Sequence, residues 1–220
     1  MILAAGDGKR MKSDRPKALC EVLFKPMLKW VEDACRAAGI DEIWVVAGAN
    51  AELLEAAAPA CRFVCQTERR GTGHAAMMAA EAYRAGGDVL VLNGDAPFVE
   101  PQALRDALAM HRAGKNAVTL LSARLDDPFG YGRVIRGKGG AVAAVVEEKD
   151  ADEAQRAVCE INSGAYWFDA AFLAKALKGL TPKNAQGEYY LTDTVVAANA
   201  PGAAAGAFLF AGGDMALGGN

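Results

Sequence analysis

Leu3-Ala4-Ala5-Gly6-Asp7-Gly8-Lys9-Arg10-Met11, with Ser13, Pro16 and Lys17 close behind, is an apolar strand that runs into a glycine-rich turn. Glycine lets a backbone approach an anion closely and present several N–H groups in a concave nest. Arg10 and Lys17 add cations where amides alone would face a ligand. The arrangement suits a polyphosphate. Taken alone, it is equally a strand end with a solvated basic flank, and the rest of the chain has to separate the two.

Working outward, short apolar runs alternate with helical patterns. Met27, Leu28, Val31, Ala34, Cys35 and Ala38 share one helical face, Lys29, Glu32, Asp33 and Arg36 the other, and Gly39 stops the helix. Buried strands are expected at Ile43 to Ala47, Arg62 to Cys65, Val89 to Leu92 and Val118 to Ser122, with helices starting near Thr72 and at Pro101. Strands separated by helices predict an α/β fold, a doubly wound, mainly parallel sheet with helices on both faces. Beyond Asp126 the texture changes. Arg133 to Ile135, Val142 to Glu147 and Ile161 to Phe168 read as strands of a small antiparallel extension laid across the sheet, and Ala197 to Gly206 as loop and frayed helix.

The 220 residues, 52% of them apolar, suffice for one domain with a substantial core. A net charge of −3 and a pI near 5.5 speak against a nucleic-acid surface, so the N-terminal cations mark a local site for a small anion. Five scattered cysteines in apolar contexts suit reduced core thiols in a cytoplasmic protein. Cys61 and Cys65 have no second Cys pair, only His74 and His111, which speaks against structural zinc. No signal peptide and no membrane-spanning run stand out. The abrupt start and the Leu217-Gly218-Gly219-Asn220 end lead us to expect a piece of a longer chain.

Several stretches carry chemistry. Val89 to Leu92 ends in Asn93-Gly94-Asp95-Ala96-Pro97, which places a hard carboxylate just past a strand's carboxyl end, where ligands of open α/β sheets bind. Beside phosphates, Asp95 suits Mg²⁺, and it would equally open a turn before Pro97. Gln66 can exchange paired hydrogen bonds with an imide edge such as uracil, and Gly71-Thr72-Gly73 lets a flat ring lie against backbone or starts a helix. His74 is expected to pack or cap rather than act as a base. Polar groups in Gly130-Tyr131-Gly132-Arg133, Glu147-Glu148, Asn162-Ser163-Gly164 and Asn184 to Asp193 suit sugar hydroxyls.

In this order and spacing, LAAGDGKRM with PK, GTGHA, NGDAP, DDPFGYGR, VVEEKD, EINSG and NAQGEYYLTD resemble the uridylyltransferase domain of the bacterial bifunctional N-acetylglucosamine-1-phosphate uridyltransferase/glucosamine-1-phosphate acetyltransferases. The resemblance implies a Rossmann-like domain of the nucleotide-diphospho-sugar transferase type, with a nucleotide-binding part, residues 1–125, and a sugar-binding part, residues 126–220. It also implies a reaction: UTP and N-acetylglucosamine 1-phosphate give UDP-N-acetylglucosamine and pyrophosphate, by in-line attack with Mg²⁺ as cofactor. It sets Leu3, Ala4, Ala5 and Gly6 against the nucleotide, Arg10 and Lys17 on the phosphates, and Gln66, Gly71 and Thr72 on the uridine. It sets Asn93, Gly94, Gly132, Glu147, Asn162 and Thr192 on the sugar and its phosphate, and Asp95 with Asn220 on the metal. Asn93 stands where tyrosine is common in the family, and GDGKR stands where GKGTR is common. The family's left-handed β-helix, which carries acetyl transfer and trimerisation, has no counterpart in the sequence, so a homotrimer is expected only with that domain.

Overall fold

Alternation of apolar residues along the strands gives the sheet two buried faces, and helices cover both. A computed structural model describes residues 1–6, 15–49, 51–199 and 203–209. The elements run β1 (Ile2–Ala4), β2 (Glu21–Val22), β3 (Lys25–Pro26), α1 (Met27–Ala37), β4 (Trp44–Ala47), α2 (Ala51–Ala57), β5 (Arg62–Cys65), α3 (Thr72–Met78), α4 (Glu81–Arg84) and β6 (Asp88–Asn93). They continue with α5 (Pro101–Gly114), β7 (Val118–Arg124), β8 (Arg133–Arg136), β9 (Val142–Val146), α6 (Glu153–Arg156), β10 (Glu160–Asp169), α7 (Ala170–Lys178), α8 (Asp193–Ala197) and β11 (Ala205–Leu209).

The main sheet has the order β11-β7-β10-β6-β1-β4-β5, with the β8–β9 hairpin attached to β10. β1 lies parallel between β4 and β6, β5 extends β4, and β11 is parallel to β7. On one face Val46, Val91, Leu120, Tyr166 and Phe168 pack with residues of α3, α7 and α8. On the other Val45, Leu90, Leu92, Leu121 and Trp167 pack with residues of α1, α2 and α5. Two apolar cores separated by one sheet are what double winding requires.

Four expectations need correcting. β10 is not laid across the sheet: it lies inside it, antiparallel to both β6 and β7. Its ten residues suffice to pair with those two strands and, at Ile161, with β8. Ala205 and Gly206 are not loop but the start of β11, because β7 would otherwise leave its edge unpaired. A Cβ on Gly206 would lie 2.4 Å from Asn116 Nδ2, so a larger residue there would displace the Asn116 side chain. Glu32 does not face solvent: it is 1% exposed, its carboxylate accepting from Lys29 Nζ at 3.0 Å and Arg36 Nε at 2.9 Å. Arg36 in turn donates to the Ala60 carbonyl and closes the turn over that pair. The cysteines are unpaired, but only Cys35 is buried, and Cys65 and Cys159 are exposed.

Candidate active site

Parallel strands bring their carboxyl ends to one edge of the sheet, and loops there meet from distant parts of the chain. The Gly94 N–H donates to the Leu3 carbonyl at 2.8 Å and so holds the end of β6 against the end of β1. A Cβ on Gly94 would stand 3.0 Å from Ala4 Cβ and 3.1 Å from Leu3 O. Gly94 therefore serves the approach of two strands and does not appear in the cavity wall, unlike the other residues of the sugar set. Gly48 performs the same service on the other side, where a Cβ would come within 2.9 Å of Ala5 O.

Two cavities, of about 320 and about 340 Å³, open along this edge and share Lys17, Thr72, Asn93 and Asp95. Leu3, Ala4, Ala5, Gly6, Gln66 and Gly71 line the second. Gly132, Glu147, Asn162 and Thr192 line the first. Residues expected at the nucleotide and residues expected at the sugar thus fall into two adjoining chambers. At the junction Lys17 Nζ lies 2.6 Å from Asp95 Oδ2, both side chains partly exposed. Arg10, Asp7 and Lys9 lie outside the described residues, as does Asn220.

In the second chamber, Gln66 is 4% exposed and donates through Nε2 to the Gly71 carbonyl at 3.2 Å and to His74 Nδ1 at 2.9 Å. Both donors of its amide are therefore committed inside the protein, and the paired exchange expected from the sequence reduces to an amide oxygen that accepts. His74 fixes that amide, in keeping with a packing role. Gly71 has φ +101°, and a Cβ there would lie 2.5 Å from Tyr189 O. The Tyr189 N–H donates to Arg70 O at 2.7 Å, Gly73 N–H to Tyr189 O at 2.8 Å, and the Leu191 N–H to Thr72 Oγ1 at 3.0 Å. The start of α3 is so sewn to residues 189–191, which places Thr192 beside the first chamber. Arg69 also lines the second cavity. Sequence reasoning passed over it, although a cation just ahead of Gly71-Thr72-Gly73 was available as a sign.

In the first chamber, Thr192 Oγ1 donates to Glu147 Oε1 at 3.1 Å. Burial, the largest influence, holds the Glu147 carboxyl above the ordinary carboxylate range, with the neighbouring acids Asp150, Asp193 and Glu188 adding to it and Thr192 opposing. The next residue points elsewhere: Glu148 Oε2 accepts from Arg133 at 2.7 Å and from the Gly130 N–H at 3.2 Å. Arg133 is 2% exposed, donates also to the carbonyls of Tyr131 and Arg156, and keeps its buried Nε unpartnered. That buried cation holds the 130–132 turn over the chamber, a role the GYGR motif did not disclose. Asn162 Oδ1 accepts from the Gly164 N–H at 3.0 Å, and Asn162 N–H donates to the Gly132 carbonyl at 2.8 Å. Gly164 has φ +81°, and a Cβ there would lie 2.2 Å from Asn93 Nδ2, so only glycine leaves Asn93 its place.

Among the described residues no group of three or more His, Cys, Asp or Glu side chains could hold a metal. Mg²⁺ takes one or two protein oxygens and completes its shell with phosphates and water, so it needs no such group. Asp95 has the required chemistry, a partly exposed hard oxygen whose ion-pair partner is the partly exposed ammonium of Lys17.

MobA-like NTP transferase domains match this chain over residues 1–163. The bifunctional protein GlmU of Caldanaerobacter subterraneus subsp. tengcongensis is 50% identical over 196 residues, covering 89% of this chain and 43% of its own length. GlmU of Streptococcus suis is 44% identical over 223 residues, covering 100% of this chain and 48% of its own. The chain thus spans less than half the length of these relatives. Among solved structures, UDP-glucose pyrophosphorylase complexed with UDP-glucose aligns with a TM-score of 0.73 at 18% identity, over 89% of this chain and 84% of that one. That likeness is one of fold: a mixed, mainly parallel sheet clad with helices. With the glycine-rich first turn, the parallel strand ends and the carboxylate past β6, the chain belongs to the MobA-like NTP transferase domain family.

Proposed function

We propose that this chain transfers UMP from UTP to N-acetylglucosamine 1-phosphate, releasing UDP-N-acetylglucosamine and pyrophosphate. The observation that carries the proposal is the Lys17–Asp95 pair at the meeting of two cavities, one lined by Leu3 to Gly6, Gln66 and Gly71, the other by Gly132, Glu147, Asn162 and Thr192. Identity of 50% and 44% to two GlmU proteins over most of the chain supports it.

A phosphate oxygen of the sugar phosphate attacks the α-phosphorus of UTP as the bond to the β-phosphate oxygen breaks and pyrophosphate leaves. No protein nucleophile is needed, so the residues act by positioning and by balancing charge. Leu3 to Gly6 and Gly71-Thr72 hold the nucleotide by backbone, and Gln66 offers its amide oxygen to the base. Glu147, Asn162 and Thr192 hold the sugar hydroxyls, and Gly132 brings backbone against the ring. Lys17, with Arg10, stabilises the charge that collects on pyrophosphate. Asp95, with Asn220 as a second protein ligand, would hold Mg²⁺, which would supply Lewis-acid charge neutralisation. The work is assigned to a cytoplasmic enzyme.

The test is pyrophosphate release from UTP and N-acetylglucosamine 1-phosphate, with glucose 1-phosphate and the other nucleoside triphosphates in parallel. Turnover confined to another base or sugar would replace this substrate assignment while keeping the nucleotidyl transfer.

A further inference from the structure

The amide of Gln66, directly after β5, is held in one orientation by two neighbours. Its Nε2 lies 3.2 Å from the Gly71 carbonyl oxygen and 2.9 Å from His74 Nδ1. A carbonyl oxygen cannot donate, so the amide nitrogen, and not the amide oxygen, has to face Gly71. The other N–H of that nitrogen then meets His74 Nδ1, which has to accept, and the His74 proton sits on its own Nε2. What is left of the amide is its oxygen, on a side chain that is 4% exposed and lines the second cavity. Turning the amide over would set that oxygen against the Gly71 oxygen and the Nδ1 lone pair together. Gly71 supplies its half of the lock from the backbone, and His74 supplies the other half from a side chain of α3.

Uracil and cytosine have almost the same shape, so a cavity wall separates them poorly. They differ in polarity at one edge: uracil carries an N3–H donor where cytosine carries a bare N3 lone pair. A fixed acceptor attracts the first and repels the second. We propose that His74 is a positioning residue for base selection: by accepting from Gln66 it keeps an oxygen turned toward the base, and so favours a pyrimidine with an N3–H over one with a bare N3. This rests on the uridylyl-transfer reading above. His74 also packs, its ring lying 6.3 Å from that of Tyr189, whose carbonyl accepts from the Gly73 N–H at 2.8 Å. Losing that packing would loosen the site for every nucleotide alike. Losing the acceptor changes the ratio between nucleotides.

The experiment measures kcat/KM for UTP and for CTP, with N-acetylglucosamine 1-phosphate and Mg²⁺, in the parent, His74→Leu and His74→Asn. Leucine fills the space and accepts nothing, whereas the asparagine Oδ1 falls near the place of Nδ1 and accepts again. The UTP-to-CTP ratio should drop about fivefold or more in His74→Leu, through KM, as expected for one lost hydrogen bond. His74→Asn should bring the ratio back to within about twofold of the parent. An unchanged ratio in folded His74→Leu overturns the proposal, as does an asparagine variant no more selective than the leucine one. The parent alone gives a second test that needs no His74 variant to fold. Its two histidines are His74 and His111, so ring ¹⁵N spectra, assigned with His111→Gln, report the His74 tautomer directly. A proton on Nε2 alone is expected in mildly alkaline solution, and a proton on Nδ1 overturns the proposal. No pyrophosphate from the parent with UTP and N-acetylglucosamine 1-phosphate would instead strike the uridylyl-transfer reading itself.

Discussion

Lys17 and Asp95 face each other across 2.6 Å where the two cavities join, and their partial exposure keeps the pair from carrying much folding energy. Lys17→Ala should therefore leave stability within about 1 kcal/mol of the parent. Turnover should fall about a hundredfold, the usual consequence of losing one preorganised charge worth about 3 kcal/mol in the transition state. Steady-state kinetics beside a thermal melt separates the two effects, and an unchanged kcat in folded protein removes Lys17 from the transition state. Gly164 belongs to the same scale. Its φ of +81° and the 2.2 Å that a Cβ would leave to Asn93 Nδ2 make Gly164→Ala strained in backbone and in packing. A loss of about 1–3 kcal/mol in urea denaturation is expected. A neutral substitution would show that the β10 bulge relaxes freely.

At the scale of elements, β10 joins the two halves of the molecule. Glu160 at its start is 6% exposed, and its carboxylate accepts from Arg136 of β8 at 2.6 and 2.8 Å and from Ser122 Oγ of β7 at 2.7 Å. These partners overcome burial and hold the Glu160 carboxyl below its ordinary range. Arg136→Ala would leave that carboxylate buried with one hydroxyl. The cost should be about 2 kcal/mol, less than for a fully buried pair because the arginine is itself partly exposed. Arg136→Ala with Glu160→Gln should recover part of it. Equilibrium unfolding of the single and double variants checks this, and a single-variant loss under about 0.5 kcal/mol would make the bridge incidental.

For the molecule as a whole, the edge opposite the site carries a pH dependence. His111 of α5 is 2% exposed, with Nδ1 3.0 Å from Thr119 Oγ1 of β7 and Nε2 3.6 Å from Asp88 Oδ1. Burial, the largest influence, lowers its pKa below 6.5, and Arg112 adds to that against Asp88 and Asp169. An imidazole depressed in the folded state takes up its proton more readily when unfolded. Its contribution is therefore complete above the unfolded value and is lost as pH falls below it, by up to about 1.4 kcal/mol per pH unit for one proton. Stability measured from pH 7.5 to 5.5 should decline over the acid half of that range, and His111→Gln should flatten the decline. Parallel curves for the two proteins would place the acid sensitivity elsewhere.

What the sequence determined by itself is the parallel half and its working edge. Strand runs such as Val89 to Leu92 alternate between two cores, α1 shows an apolar face ended by Gly39, and glycine and carboxylate motifs follow strand ends, all of which are local periodicities. What only the tertiary structure decided is partnership. The pattern of Ile161 to Phe168 says that both faces are buried but not that the neighbours are β6 and β7, because register is set by the strand alongside. The Ala- and Gly-rich run into β11 has little strand propensity, and it is a strand because β7 supplies hydrogen bonds. Glu32 is buried because Arg36 and the Ala60 turn close over it. The joining of two cavities at Lys17 and Asp95 brings together residues 78 positions apart, a proximity that no local pattern encodes.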